Sequence, residues 1–302
     1  MQHTLTADNL LSTYKAITNI FSSQTIFPSH YQQHQHLGDI AHLYKAFFFD
    51  AFGVLNIGEK AIPLAVERIQ DLRQKGKKLF IVSNAASVTK DQLYKKYTTL
   101  GFDFTPEEII SSRDALAVYL RQHPVEYFGV IAPQQTNLSD LQGSFINLQE
   151  NTDSIDQLNG FLLLSSQDWT ATQQQQLIQS LQKKKRPILL ANPDLVAPRE
   201  HNFSIEPGLL AYDIWKKTGI KALPFGKPYA NIFDIAKAKL PKDIHLQQVL
   251  MVGDTLFTDV LGGCMAGVNT AMVTDNGFAS MIDWKSTIQE TKICPNHIIH
   301  FI

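Results

Sequence analysis

The sequence predicts an α/β protein: a Rossmann-like, doubly wound parallel sheet with an α/β cap domain inserted into it. Three observations carry this. Apolar runs alternate with amphipathic helical patterns along most of the chain, the order of βαβ units. The runs are apolar throughout rather than every second residue, as strands covered on both faces must be. Several of them end on a polar residue, as in AFFFD at 46–50, KLFIVSN at 78–84 and VLMVGD at 249–254.

The bulk composition agrees with this reading. A chain of 302 residues with 44% hydrophobic and 18% charged residues can bury a core and has room for two modest domains. A formal net charge of −1 gives no support for a nucleic-acid partner or an anionic membrane surface. Cys264 and Cys294 are the only cysteines and have no metal-site spacing; they read as reduced thiols. The first residues hold no apolar core of signal-peptide length, and no run is long enough to span a bilayer, so the expected location is cytoplasmic.

Residues 1–42 read as an N-terminal arm. LLSTYKAITNIF suits a short amphipathic helix. HYQQHQH, with His30, His34 and His36, reads as a solvated loop rather than a metal site, because no acid or cysteine accompanies it. The arm has three open roles: covering the core, mediating a homodimer, or standing free.

The core begins with the strand at 46–50. Pro63 opens a helix that Gly76 ends, and KLFIVSNAA is the next strand. SVTKDQLYKKYTTLGF is a capped helix with Ser87 or Thr89 as N-cap and Gly101 beyond its end. PEEIISSRDALAVYLRQH is a helix pair or a strand–helix step. EYFGVIAP, GFLLLSSQD and RPILLANPD are strands, with a helix over TQQQQLIQSLQKKK between the last two. EPGLLAYDIWKKTG is a helix, ALPFGKP a strand entering a turn, and YANIFDIAKAKL a helix. HLQQVLMVGDTLFTD is a strand followed by a helix start that continues through VLGGCMAG. NTAMVTDNG is a strand, and CPNHIIHFI is the edge strand. The resulting division is 43–86 and 205–302 for the core and 87–204 for the inserted cap.

The polar strand ends are the candidate site. Asp50, Ser83, Lys227 and Asp254 each follow an apolar strand, and in an open parallel sheet the ligand crevice lies at those ends. Paired aspartates favour a hard cation with oxygen ligands, foremost Mg²⁺. A serine hydroxyl, an ammonium and backbone N–H groups favour an anion with several oxygens, such as phosphate. Singly, each piece has a structural reading: GKP as a turn, Ser–Asn as a cap, and GDTLFTD as a helix start with an acidic first turn. In this order and at strand ends, they converge on one site.

With these motifs in place, the chain resembles the haloacid dehalogenase (HAD) superfamily, in its class IIA branch of sugar- and nucleotide-phosphatase-like proteins. FFFDAFGVL matches the first motif, LFIVSNAA the second, FGKPYANIF the third and MVGDTLFTDVLGGCMAGVNTAMV the fourth, with ANPDLVAP a further class IIA feature. The resemblance implies a hydrolase of small phosphorylated metabolites, with Asp50 as nucleophile. It gives Ser83, Asn84, Gly53 and Lys227 the phosphoryl oxygens, and Asp50, the Phe52 carbonyl and Asp254 the Mg²⁺. Asp259 would order the metal's waters or fix Lys227, and Asn192 and Asp194 would have a supporting or hinge role. One position departs from the pattern. The family's phosphatases carry an acid/base aspartate two residues after the nucleophile, and here that residue is Phe52. This implies weakened phosphatase activity biased toward good leaving groups. It leaves two alternatives: a metal-independent 2-haloacid dehalogenase-like hydrolase, whose first motif resembles DAFG, or a non-catalytic phosphate- or metabolite-binding protein.

Overall fold

The four residues Ala46–Phe49 form a strand with no exposed side chain. Its alternate faces meet different layers. Phe47 and Phe49 stack at 5.8 Å and pack with Ile69 and Leu72, whereas Phe48 packs with Leu116 and Phe233. A strand apolar on both faces is thus explained by helices on both faces. Burying each phenylalanine is worth about 1.5–3 kcal/mol.

The computed structural model describes residues 7–22, 25–150, 152, 154–198 and 203–302. In chain order the strands are β1 (Gln32–His36), β2 (Ala46–Phe49), β3 (Asn56–Ile57), β4 (Lys60–Ala61), β5 (Lys78–Ser83) and β6 (Ile109–Ser111). They continue with β7 (Val125–Ile131), β8 (Gly143–Asn147), β9 (Gly160–Leu163), β10 (Ile188–Leu190), β11 (Val196–Pro198) and β12 (Phe203–Ile205). The last are β13 (Leu223–Pro224), β14 (Val249–Gly253), β15 (Asn269–Val273) and β16 (His297–Phe301). The main sheet has seven strands in the order β1-β16-β15-β14-β2-β5-β6, all paired in parallel. A second parallel sheet has five strands in the order β13-β10-β9-β7-β8.

Strand membership departs from the expected segments at several strands. Gln32–His36, expected as a solvated loop, is the outer strand β1. Its polar residues suit an edge, where one side of the strand stays wet. The C-terminal strand β16, expected at the edge, therefore lies between β15 and β1. β6 falls within 87–204 yet joins the main sheet, because the helix at Lys90–Thr99 returns the chain beside β5 as a parallel crossover. β13 lies beyond 204 yet pairs with β10 in the second sheet.

Other elements form as read. The helix after Pro63 spans Ala65–Gln74, and Gly76 follows it with φ 73°. Thr89, not Ser87, caps the next helix, its backbone N–H donating to Gln92 at 2.8 Å in a capping box. PEEIISSRDALAVYLRQH resolves as β6 followed by a helix at Ser112–Gln122. The arm helix is α1 (Ala7–Ser22), with Leu10 and Tyr14 buried in the same cluster as Leu195, Phe257 and Phe278. No helix among the described residues is long and apolar enough to cross a membrane.

Candidate active site

Three adjacent strands of the main sheet, β14, β2 and β5, end side by side. They deliver Asp254, Asp50 and Ser83 to one crevice. The fourth expected group arrives differently. Lys227 follows β13, which belongs to the second sheet, so the ammonium reaches the crevice from across it. Phe52, Asn84, Asn192 and Asp194 line the same cleft of about 750 Å³, along with Asp50, Ser83 and Asp254.

Lys227 is 1% exposed and lies between two carboxylates, its Nζ 2.7 Å from Asp50 Oδ1 and 2.7 Å from Asp259 Oδ1. Asn84 fixes its backbone. The Lys227 N–H donates to Asn84 Oδ1 at 2.7 Å, and Asn84 Nδ2 donates to the Lys227 carbonyl at 3.1 Å and to Asp194 at 2.8 Å. Asp259 is set by a π-helical turn at Leu256–Val260, and its Oδ2 accepts the Thr255 N–H at 3.1 Å. Such turns are uncommon and gather at functional sites. Of the two roles left open for Asp259, this geometry shows the contact with Lys227.

Asp254 accepts the Phe278 N–H at 2.6 Å and the Thr255 hydroxyl at 2.9 Å. Gly53 (φ 81°) and Gly277 (φ 66°) close around it. A Cβ on either would come within 2.4 Å and 1.8 Å of Asp254 Oδ2, so both positions require glycine. Gly53 is therefore the wall behind a carboxylate. Asn192 donates to Glu206 at 3.0 Å and accepts the Asp194 N–H, which ties the segment after β10 together without touching Asp50 or Lys227.

Asp50, Asp194, Asp254 and Asp259 gather around the Lys227 ammonium. Burial, then the charge of neighbouring Asp50 and Asp259, pushes Asp254 well above the usual carboxylate range. Burial raises Asp259 to about 6 although Lys227 opposes it, and Asp194 rises to about 8 for the same reasons. Burial alone would lower Lys227, but Asp259, Asp50 and Asp194 outweigh it and the net shift is upward. A further cation would relieve this crowding of acids. Oxygens of Asp50, Asp254 and Asp259 lie within 4.8 Å of one another, an all-oxygen set that fits a hard divalent ion.

The sequence reading missed Tyr14 and Lys96. Tyr14 stacks on Phe257 at 4.9 Å, meets Phe278 edge-on and accepts the Leu195 N–H at 3.3 Å. Its helical spacing from Leu10 was the available signal. Lys96 sits with its ammonium 4.7 Å from the centre of the Phe52 ring. As one of two adjacent lysines on a polar helix, it carried no signal.

Sequence profiles of known families match two segments of the chain: the haloacid dehalogenase-like hydrolases over residues 47–142 and a HAD-hydrolase-like family over 224–300. The chain is 26% identical over 257 residues to an acid sugar phosphatase of Staphylococcus aureus, covering 84% of this chain and 93% of that one. It is 24% identical over 231 residues to the 5'-nucleotidase YutF of Bacillus subtilis, covering 76% and 87%. A crystal structure described as a possible sugar phosphatase of the HAD superfamily, from Cytophaga hutchinsonii, superposes with a TM-score of 0.77 at 28% identity, over 90% of this chain and 98% of that one. Matched profiles, relatives aligned over most of their length and a shared fold agree: the chain belongs to the haloacid dehalogenase superfamily of hydrolases, in its class IIA, sugar-phosphatase-like branch.

Proposed function

We propose that the protein is a phosphoric monoester hydrolase acting on a small phosphorylated metabolite of the sugar- or nucleotide-phosphate class. The observation that carries this is the buried Asp50–Lys227–Asp259 array beside Asp254. It presents a nucleophile and a fixed cation beside a set of carboxylate oxygens that a divalent cation would fit.

In this reading a carboxylate oxygen of Asp50 attacks the phosphorus, the bond to the leaving oxygen breaks, and an aspartyl-phosphate results. Water then releases phosphate and regenerates Asp50. Lys227, held by Asn84 and Asp259, neutralises charge on the phosphoryl oxygens, and Ser83 donates its hydroxyl to them. Gly53 lets the turn lie close to the incoming group. Asp50, Asp254 and the Phe52 carbonyl would hold Mg²⁺. When bound, Mg²⁺ supplies the charge neutralisation that lets one anion approach another. Asp194 and Asn192 keep the segment beneath the second sheet in place, and that sheet acts as the cap that limits bulk water.

Phe52 can neither donate nor accept a proton, and general acid–base help is worth about 10²–10⁴-fold. Turnover of alkyl phosphates should therefore be slow. The test is a panel of phosphate esters with Mg²⁺, run on wild type, Asp50→Asn and Phe52→Asp. Phosphate release should disappear in Asp50→Asn and rise in Phe52→Asp for alkyl esters. Undiminished release by Asp50→Asn would sink the reading.

Phe52 also favours a second reading, a metal-independent hydrolase of 2-haloacids. The cluster of Asp50, Asp254 and Asp259 counts against it, since these acids, when ionised, would repel a carboxylate substrate unless a cation is bound. Halide release from 2-chloropropionate in the presence of a chelator would select that reading.

A further inference from the structure

Lys96 occupies the wall of the cleft beside Phe52. The helix at Lys90–Thr99 brings its ammonium to 4.7 Å from the Phe52 ring centre, well within cation–π range. It also donates to Glu59 Oε1 at 2.8 Å and to the Gly58 carbonyl at 3.3 Å. Its side chain is 20% exposed, and Asp50, Phe52, Glu59 and Lys96 line one continuous cleft. Two residues after Asp50, where the family resemblance leads one to expect an anionic acid/base group, this chain has an aromatic face with a cation held over it. The local charge is inverted.

We propose that Lys96 is the specificity-determining residue of the cleft, and that the protein acts on phosphoryl groups whose leaving group departs as a stable oxyanion, the acyl phosphate and phosphoanhydride class. This rests on the attack of Asp50 on phosphorus proposed above and extends its substrates from monoesters to anhydrides. An alkoxide must be protonated as it leaves, which is the task Phe52 cannot perform. A carboxylate or phosphate leaving group needs no proton. Asp50 attacks phosphorus, the P–O bond breaks, and its electron pair stays on the departing oxygen as an anion paired with the Lys96 ammonium. In the second half, water adds to the phosphorus of the aspartyl-phosphate, the bond to the Asp50 oxygen breaks with its electron pair restoring the carboxylate, and the departing phosphate carries both protons of the water, one of which it passes to solvent. Glu59, 77% exposed, is the counter-ion that the incoming anion displaces. The Phe52 face excludes water from one side of that pairing and strengthens it.

The experiment is steady-state phosphate release by the full chain with Mg²⁺, using acetyl phosphate and glycerol 1-phosphate. Wild type, Lys96→Met and Lys96→Arg are compared, with thermal unfolding of each variant as the check on folding. Wild type should favour acetyl phosphate. Lys96→Met should cut that preference, as the ratio of kcat/KM values, by on the order of tenfold, mostly through KM, and Lys96→Arg should restore most of it. An unchanged ratio in a folded Lys96→Met, with turnover still present, overturns the assignment of Lys96 and leaves the phosphatase reading standing. No phosphate from either substrate with wild type overturns both.

Discussion

Asn84 bonds neither Asp50 nor Asp259, yet it sets the position of the one group that meets both. Its side-chain oxygen and nitrogen hold the two backbone polar groups of Lys227, and the same nitrogen reaches Asp194. Asn84→Ala leaves a buried N–H and C=O without these partners. The expected cost is about 1–3 kcal/mol of stability, with a loss of turnover larger than any rise in KM. Denaturant unfolding and steady-state kinetics on one preparation check both parts. The sequence made the polar strand ends legible because apolar runs stop abruptly at Asp50, Ser83 and Asp254. It did not disclose the contacts among them. Nothing in KLFIVSN says that the last two residues divide the labour, Ser83 facing the cleft and Asn84 holding a lysine 143 positions away.

Strand and helix identity followed from hydrophobic periodicity, and most elements lie where it placed them. The failures were elements whose burial is set by partners. β1 is QQHQH, which has no apolar face, and it exists because β16 offers a free edge. β8 (GSFIN) was passed over for the same reason. The arm was legible as an amphipathic helix, but its seat was not. α1 packs against the turn that carries Asp259 and against the segment that carries Asp194, and Tyr14 joins the two through Phe257 and the Leu195 N–H. Tyr14→Phe removes only the hydroxyl and should cost about 1 kcal/mol. Tyr14→Ala empties an aromatic site and should cost about 3–5 kcal/mol. Chemical denaturation distinguishes these, and near-equal values for the two variants would mean that the stacking contributes little.

For the molecule as a whole, the pH response of stability has an identifiable component at the β1–β16 seam. His297 is 5% exposed, its ring 2.7 Å from the Tyr44 hydroxyl and 3.2 Å from His34. Burial, aided by His34, lowers it from 6.5 to about 4. Below pH 6.5 the unfolded chain takes up a proton that the folded chain refuses until near pH 4, so this contribution to stability is lost as the pH falls through that window. Discounted for partial screening, it amounts to roughly 1–2 kcal/mol. The buried carboxylates titrate with the opposite sign, so the measurement is the difference between wild type and His297→Gln in unfolding free energy at pH 7 and pH 5. The gap between them should change by that amount. A gap independent of pH would remove His297 from the account.

Lys227 is delivered by the second sheet and its carboxylate partners by the first, and this sets an order of events during synthesis. Asp50 and Ser83 leave the ribosome long before Lys227, Asp254 and Asp259 exist. The half-made chain therefore carries Asp50 without the ammonium and the carboxylates that surround it in the finished fold. Under the proposed mechanism the array would be complete only once the segment carrying Lys227, Asp254 and Asp259 has packed onto the strand that ends at Asp50, so that catalysis would depend on the finished fold.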